Sequence, residues 1–145
     1  MVEGLFSPTD AQLCEILRDC RHIVVVGHSP KPERPSYQVA SYMARQGYII
    51  YPVHPAVSTI AGRPCYRRLA DIPAPIDMVN VFRRSEALPG IVEEILALPA
   101  RSQPRCLWTQ LHIYHREAGE SAQAQGWQVV MNRCLMVEHR RCSRP

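Results

Sequence analysis

The sequence lacks the apolar run that a membrane-spanning helix needs. No segment approaches the roughly 18–20 consecutive apolar residues that cross a bilayer. The opening residues MVEGLFSPTD contain neither a basic region nor a long apolar stretch, so a secretory signal is not expected. The sequence therefore predicts a cytoplasmic protein that makes no use of a membrane.

Lysine is almost absent, although the chain is weakly basic. Of the 17 lysines and arginines only Lys31 is a lysine, and the formal net charge at pH 7 is +4. Arginine favours phosphate groups because its guanidinium binds them through paired contacts. A basic stripe with interleaved aromatic residues is missing, which disfavours nucleic acid as a partner. We expect the basic residues 140–145 to form a solvated tail.

Cysteine pairs with the spacing of a metal site are also missing. The six cysteines include no C-x-x-C pair. His112 and His115 are spaced like two ligands on a helix, but no third ligand of matching spacing follows, so we expect no metal site. In a cytosolic chain with a core to fill, we expect mostly buried free thiols, and a disulfide framework is disfavoured.

Short apolar runs alternate with amphipathic stretches along the chain, which is typical of βαβ units around a parallel sheet. The runs HIVVVG, YIIYPV, DMVNVF, RCLWTQ and WQVVMN predict five strands. The stretches between them and an N-terminal helix within residues 1–20 predict the helices. Residues 1–145 are thus predicted to form a single α/β domain, a Rossmann-like, doubly wound, parallel five-stranded sheet with helices on both faces.

Several local features refine this prediction. The first helix is expected to begin at Ser7 or Thr9, and Ser85 is a plausible N-cap for the helix after the third strand. Pro89 falls in the first turn of that helix, where proline is tolerated. The stretch CYRRLADIP is expected to carry a short strand or a helical turn.

The loop GHSPKPERPS follows the first strand, at the sheet edge where ligands bind in doubly wound folds. A dinucleotide-binding turn would carry three glycines, and this loop carries one. Its hydroxyls, its cations and the start of the next helix instead favour an anion. The residues that would contact the anion are Gly27, Ser29, Lys31, Arg34, Pro35 and Ser36. The alternative is a stiff, proline-rich connection whose charges point into water.

The loop after the second strand offers Val53, His54 and Pro55. An NAD-binding domain places a carboxylate here for the ribose hydroxyls. Both the glycine pattern and this carboxylate are missing, so NAD is disfavoured on two counts. His54 is interpreted either as a neighbour of a ribose phosphate or as a loop histidine without a ligand.

The remaining loops bring further candidates to the same edge. Phe82 could stack on an adenine and Arg83 could bind a phosphate. Gln110 follows the fourth strand, and Cys134 lies after the fifth. A pairing of Cys134 with His139 would suggest thiol chemistry, although neighbours in sequence are weak support for a catalytic pair.

Taken in order, these segments resemble a known family, the small stand-alone CoA-binding proteins, whose domain is similar to the CoA-binding domain of the succinyl-CoA synthetase alpha subunit. The resemblance runs from about Arg21 to His139. It rests on VGHSPKPERPSYQVASYM, GYIIYPVHP with GRPCYRRLADIP, DMVNVFRRSEALPGIVEE, LWTQLHI and VVMNRCLMVEH.

The resemblance implies a domain that binds coenzyme A or an acyl-CoA along the carboxyl edge of its sheet, without evident catalysis of its own. By position, the loop from Gly27 to Ser36 would meet the phosphates, and Val53, His54 and Pro55 would flank the adenosine. Phe82 and Arg83 would line the cleft. Gln110 and the loop of Asn132, Arg133 and Cys134 would lie near the pantetheine.

The sequence departs from the family pattern at three positions. His112 replaces a usual glycine, Asn132 replaces an aspartate, and His28 replaces a small residue. The resemblance implies that His28 or His112 would narrow the cleft or add a phosphate donor, so that affinity for coenzyme A would differ from that of relatives.

Three other functions remain open from the sequence. One is a regulatory domain that binds NADP or another nucleotide, which would also use Lys31 and Arg34. Another is a thiol-active enzyme that uses Cys134. The third is a structural or partner-binding protein with a vestigial cleft; its protein partner is unknown.

Overall fold

Five parallel strands form the centre of the computed structural model, which describes residues 6–73 and 75–143. In chain order the strands are β1 (His22–Val26), β2 (Ile49–Val53), β3 (Thr59–Ile60), β4 (Arg63–Pro64), β5 (Met78–Val81), β6 (Cys106–Thr109) and β7 (Gln128–Val130). β3 and β4 form a small antiparallel hairpin. The other five make one sheet in the order β2-β1-β5-β6-β7. The predicted doubly wound parallel sheet is confirmed.

The helices are α1 (Asp10–Asp19), α2 (Pro35–Arg45), α3 (Leu88–Leu96), α4 (Arg116–Ala124) and α5 (Leu135–Ser143). α1, α2 and α5 contribute buried side chains to one face of the sheet, and α3 and α4 cover the other. The side chains of β1 pack on both faces of the sheet. Ile23 and Val25 belong to the core beneath α1, α2 and α5, whereas Val24 and Val26 belong to the core beneath α3 and α4. This alternation follows from the two-residue period of a strand.

The chain runs from β1 outward to β2 and then returns to place β5 on the other side of β1. The order of the strands therefore reverses between β1 and β5. A crevice opens at such a reversal because the connections leave in opposite directions. The fold thus fixes where a ligand site is expected, at the carboxyl ends of β1 and β5.

The helix starts follow the sequence in part. Of the two expected starts of the first helix, Ser7 and Thr9, Thr9 is the one that caps α1, and it exchanges hydrogen bonds with Gln12 in a capping box. The prediction that Ser85 caps the following helix is wrong. Ser85 begins a 3₁₀ turn, and its Oγ accepts a hydrogen bond from the Tyr114 amide instead. The stretch CYRRLADIP carries a 3₁₀ turn at Leu69–Asp71.

The C-terminal residues form a helix, not the expected solvated tail. Residues 140–143 complete α5, which packs beside α1. Arg141 donates to Glu138 at 2.7 Å and to Asp10 at 3.0 Å, so one arginine joins the two helices. The expectations for residues 1–5 and 144–145 lie outside the described residues. No helix in residues 6–73 and 75–143 is long and apolar enough to span a membrane.

A disulfide joins Cys14 in α1 to Cys142 in α5, with their Cα atoms 5.5 Å apart. The expectation of free thiols is therefore wrong for these two cysteines. It holds for Cys20, Cys106 and Cys134, which are buried, and for the partly exposed Cys65. The pairing spans 128 residues and depends on α1 and α5 lying side by side, which the spacing of cysteines does not reveal.

Strand β2 lies at one edge of the sheet, and Pro52 lies within it. Proline has no N–H to donate, so it occurs in a strand mainly at the edge of a sheet, where its nitrogen faces away from the neighbouring strand. The Pro52 carbonyl accepts a hydrogen bond from the Tyr66 amide, and the His54 amide donates to the Tyr66 carbonyl. The segment after β4 thus covers the carboxyl half of this edge.

We expect loss of the disulfide to lower the free energy of unfolding by about 2–4 kcal/mol, because the cross-link restricts the unfolded chain. Denaturant unfolding of the oxidised protein, with and without reductant, measures the effect. Cys14→Ser should abolish the response to reductant, and Cys65→Ser should retain it. An identical unfolding midpoint in both redox conditions would contradict the pairing.

Substitutions at two helical glycines, one buried against Phe6 and one exposed, test how tightly α4 packs. A β-carbon at Gly119 in α4 would lie 2.6 Å from Cε2 of the buried Phe6 ring, whereas one at Gly90 in α3 would meet open space. We expect Gly119→Ala to cost about 1–3 kcal/mol of unfolding free energy through overpacking. Gly90→Ala should add about 0.4–1 kcal/mol because it restricts the unfolded chain. Equal effects of the two changes would refute this packing.

Candidate functional site

A cleft of about 520 Å³ opens at the carboxyl ends of β1, β5 and β6, at the reversal of strand order. Its volume falls within the range of small-molecule sites. Nine of the residues selected from the sequence line it: Gly27, Ser29, Lys31, Arg34, Pro35, Ser36, His54, Phe82 and Gln110. Pro30 and Ile113 complete the lining and were missed. Pro30 belongs to the loop GHSPKPERPS that the sequence identifies as a ligand site, whereas nothing in the sequence except its apolar side chain indicates Ile113.

Gly27 makes the turn that opens the cleft. Its φ of +83° is in the left-handed region that side chains disfavour. Its amide donates to the Val53 carbonyl at 3.2 Å, and a β-carbon here would lie 3.1 Å from Cδ of Arg83. The turn therefore favours glycine, and a larger residue would in addition crowd the Arg83 side chain by a few tenths of an ångström.

Hydrogen bonds within the loop after β1 hold it in shape. The Ser29 amide donates to Ser36 Oγ at 2.9 Å, and the Lys31 amide donates to Ser29 Oγ at 3.1 Å. Ser36 is buried, and Pro35 occupies the first turn of α2. The oxygen of Ser36, selected as an anion contact, accepts a hydrogen bond from the loop itself, and its O–H remains available to donate.

The cationic side chains of this edge lack acidic partners. Lys31, Arg34 and Arg83 are exposed, and none forms a salt bridge with a carboxylate in the described part of the chain. α2 begins without a side-chain cap, so the first amides of the helix face the cleft loop unsatisfied by a side chain. Of these three cations Lys31 and Arg34 line the cleft, whereas Arg83, which the sequence also assigns to the lining, does not. The positive charge at the cleft therefore comes from the loop that leads into α2.

His28 is not on the surface of the cleft. It is 1% exposed, and its Nδ1 lies 2.9 Å from the Ser29 carbonyl oxygen, so Nδ1–H donates there. Its ring meets Tyr37 edge-on. Burial is the main cause that lowers the pKa of His28; the hydrogen bond to Ser29 opposes it, and the positive charge of Arg63 acts in the same direction as burial. His28 is a support of the loop and does not narrow the cleft.

His54 lines the cleft with a defined tautomer. The Ala56 amide donates to His54 Nδ1 at 3.0 Å, so that nitrogen carries no hydrogen. In the neutral ring Nε2 then holds the proton and can donate. Val53 is buried behind it, and Pro55 is exposed beside it. Neither of these two residues lines the cleft.

Gln110 contributes an oxygen without a partner. Its backbone amide donates to the Val81 carbonyl, which fixes the start of the loop after β6. Its side-chain Oε1 is buried and accepts no hydrogen bond from the described residues. A buried acceptor without a donor is costly, so a group that donates a hydrogen bond is expected beside it.

His112 and Asn132, two of the departures from the family pattern, both lie at positions of left-handed backbone. Their φ angles are +69° and +62°, in the region that glycine adopts most easily and that asparagine and aspartate tolerate. Asn132 Oδ1 accepts a hydrogen bond from the His112 amide at 2.6 Å. The His112 side chain is exposed and does not line the cleft. His115 accepts from the Ala118 amide through Nδ1 and caps α4.

Cys134 lies outside the cleft, buried at the start of α5 beside a separate pocket. The proposed pairing with His139 is not formed. His139 Nδ1 lies 2.8 Å from the Tyr42 hydroxyl, and within residues 6–73 and 75–143 no hydrogen bond joins His139 to Cys134. The hydrogen bonds of the described residues therefore give Cys134 no histidine base of the kind that a thiol nucleophile uses.

Comparison with known proteins gives a consistent result. The family model described as a CoA binding domain matches residues 21–140. The chain is similar to the uncharacterized protein YneT of Bacillus subtilis, with 39% identity over 133 residues that cover 92% of this chain and 96% of the relative.

Solved structures share the fold. A hypothetical protein from Pyrococcus horikoshii superposes with a TM-score of 0.88 at 35% identity, covering 98% of this chain and 97% of the other. The dinucleotide forming acetyl-coenzyme A synthetase 1 of Ca. Korarchaeum cryptofilum gives a TM-score of 0.61 at 19% identity. That match covers 88% of this chain and 26% of the synthetase, and it shows similarity of fold alone.

The buried His28 predicts a loss of stability in acid. Its pKa is lowered in the folded protein, so the unfolded chain takes up the proton first as the pH falls below about 6.5. His139, whose pKa is lowered by burial, adds to this loss. We expect the free energy of unfolding to fall between about pH 7.5 and about pH 5.5, and His28→Asn to reduce that fall.

Denaturant unfolding at several pH values measures the effect. His112→Asn is the matched control, because it removes an exposed histidine at a position where asparagine fits the backbone. It should leave the slope against pH unchanged. A slope in His28→Asn equal to that of the unmodified protein would disprove the role of His28.

Proposed function

The chain belongs to the CoA binding domain family, and we propose that it binds coenzyme A in the cleft at the carboxyl ends of β1, β5 and β6. The observation that carries the proposal is the pair of cations Lys31 and Arg34. Both lie on an ordered loop at the mouth of this cleft, and neither is paired with a carboxylate in the described chain. A ligand rich in phosphate would supply the missing negative charge.

The phosphates are assigned to the loop after β1. Ammonium and guanidinium groups bind phosphate through charge-assisted hydrogen bonds, and the start of α2 adds amide donors and the positive end of a helix dipole. Ser29 and Ser36 already hold the loop in place. Because the loop is already ordered, binding costs little conformational entropy there, and this favours affinity.

The adenosine end is assigned to the loop after β2. His54 lines the cleft and has an Nε2–H donor, and Arg63 lies near enough to the buried His28 for its positive charge to act there. Donor groups and the absence of a carboxylate at this strand end favour a phosphorylated ribose over the free hydroxyls of NAD.

The pantetheine end is assigned to the loop after β6. Pantetheine contains amide N–H groups, and the unpartnered Gln110 Oε1 is an acceptor for one of them. Phe82 and Ile113 give this part of the cleft an apolar surface for the methylene groups. The donor and acceptor properties of the cleft therefore fit both halves of coenzyme A.

Bound coenzyme A would supply a thiol that carries acyl groups as thioesters. The cleft residues described above bind and orient this molecule. None of them forms a nucleophile–base pair, so the proposal is a binding function, either for free coenzyme A or for an acyl-CoA.

We expect Lys31→Gln combined with Arg34→Gln to weaken coenzyme A binding about 10- to 100-fold, because two charge-assisted contacts to phosphate are lost. Isothermal titration calorimetry measures the dissociation constant, and a thermal scan without ligand checks that the fold is retained. Binding of the unmodified protein should weaken with salt, since these charges are exposed.

The control variant is Arg45→Gln combined with Arg101→Gln. It removes the same charge from exposed positions outside the cleft and should leave affinity unchanged. NADPH and ATP titrated in parallel test the alternative nucleotide ligands. A clear preference for NADPH, or no binding of coenzyme A at saturating concentration, would overturn the proposal.

A further inference from the structure

Exposed apolar side chains lie at a second position on the carboxyl edge of the sheet. Leu111 is 47% exposed and Val137 is 43% exposed, and both line a pocket of about 280 Å³. Met131 and Cys134 contribute further apolar surface to the same pocket. We name the four residues the Leu111–Val137 patch. Exposed apolar surface gathered in one concavity marks a binding site more often than scattered residues do.

The patch adjoins the proposed pantetheine end of the cleft through one short loop. Gln110 and Ile113 line the cleft, while Leu111 between them lines the patch. Hydrogen bonds fasten this loop to the one after β7: the His112 amide donates to Asn132 Oδ1, and the Asn132 amide donates to Thr109 Oγ1. The two concavities thus lie on either side of one hydrogen-bonded loop.

The charged groups beside the patch are already paired. The Arg133 guanidinium donates to Glu138 at 3.4 Å and to Ser7 at 2.6 Å, and Glu138 also accepts from Arg141. Among the described residues that line this pocket, no cation is left without a carboxylate partner to bind the end of a charged acyl chain. The surroundings therefore select an uncharged aliphatic group.

We propose that the protein binds acyl-CoA, with a short, uncharged, aliphatic acyl chain lying on the Leu111–Val137 patch. This inference rests on the proposed function, because the cleft must hold the coenzyme. The thiol end of pantetheine would leave the cleft past Gln110 and carry the acyl group to Leu111. The volume leaves room for a short chain: a methylene takes up about as much space as a water molecule, roughly 30 Å³, so an acyl group of about four to six carbons would occupy about half of the pocket.

The test is calorimetric titration of coenzyme A, acetyl-CoA, butyryl-CoA and hexanoyl-CoA. Each buried methylene should strengthen binding about two- to fourfold, because apolar area leaves water. Leu111→Gln combined with Val137→Gln should remove this increase and leave the affinity for free coenzyme A unchanged. Both positions are exposed, so the fold is expected to survive the change.

Ile49→Gln is the matched control. Ile49 is 47% exposed, like Leu111, but it lies in β2 at the other end of the strand order. This variant should keep the full dependence on chain length. Succinyl-CoA provides a second control, because its terminal carboxylate should cancel the gain seen with butyryl-CoA.

The outcomes separate this inference from the proposed function. Coenzyme A that binds with no dependence on chain length would overturn the acyl site and leave the cleft assignment standing. Failure of every CoA compound to bind would overturn both. The patch is refuted as the acyl site if affinity still depends on chain length in the Leu111→Gln, Val137→Gln protein. Tighter binding of succinyl-CoA than of butyryl-CoA would refute it as well. Sedimentation that shows a dimer dissolved by the same variant would assign the patch to a second copy of the chain.

Discussion

The left-handed turn at Gly27 is the constraint on which the rest of the site depends. At this one residue the chain leaves β1, accepts the neighbouring Arg83 side chain, and donates a hydrogen bond to the end of β2. Three loops from three strands are thereby held at one point. The cations of the following loop, the donor of His54 and the apolar surface of Phe82 face a common cleft because this turn brings their supports together.

The fold could be predicted from sequence because its signals are local and repeated. Buried strands such as HIVVV appear in the sequence as unbroken apolar runs. The start of α1 is indicated by Thr9, a residue that commonly caps helices. Polar residues after each strand mark the ligand edge once the sheet is taken as parallel, which is why nine of the selected residues line the cleft. Ser85 was misassigned because its hydroxyl is used by a distant amide, that of Tyr114.

What the sequence did not reveal depends on contacts between distant parts of the chain. The Cys14–Cys142 bond and the Arg141–Asp10 pair exist because α5 packs on α1. The sequence predicts a solvated tail for residues 140–145 and gives no signal for a helix after the fifth strand. The direction in which a loop side chain points is equally difficult to predict from the sequence. His28 and Lys31 belong to the same loop, but the first is buried under it and the second is exposed. Spacing alone does not distinguish a residue that supports a loop from one that faces a ligand.

Pro52 affects how copies of the protein meet one another. A bare edge strand is a template on which a second sheet can grow, and such growth leads to aggregates. The carboxyl half of β2 offers no such template: Pro52 has no N–H, its carbonyl accepts from the Tyr66 amide, and the His54 amide, two residues further on, donates to the Tyr66 carbonyl. The same residues that end the strand beside the cleft therefore leave this half of the edge without free backbone groups for a neighbouring molecule to pair with.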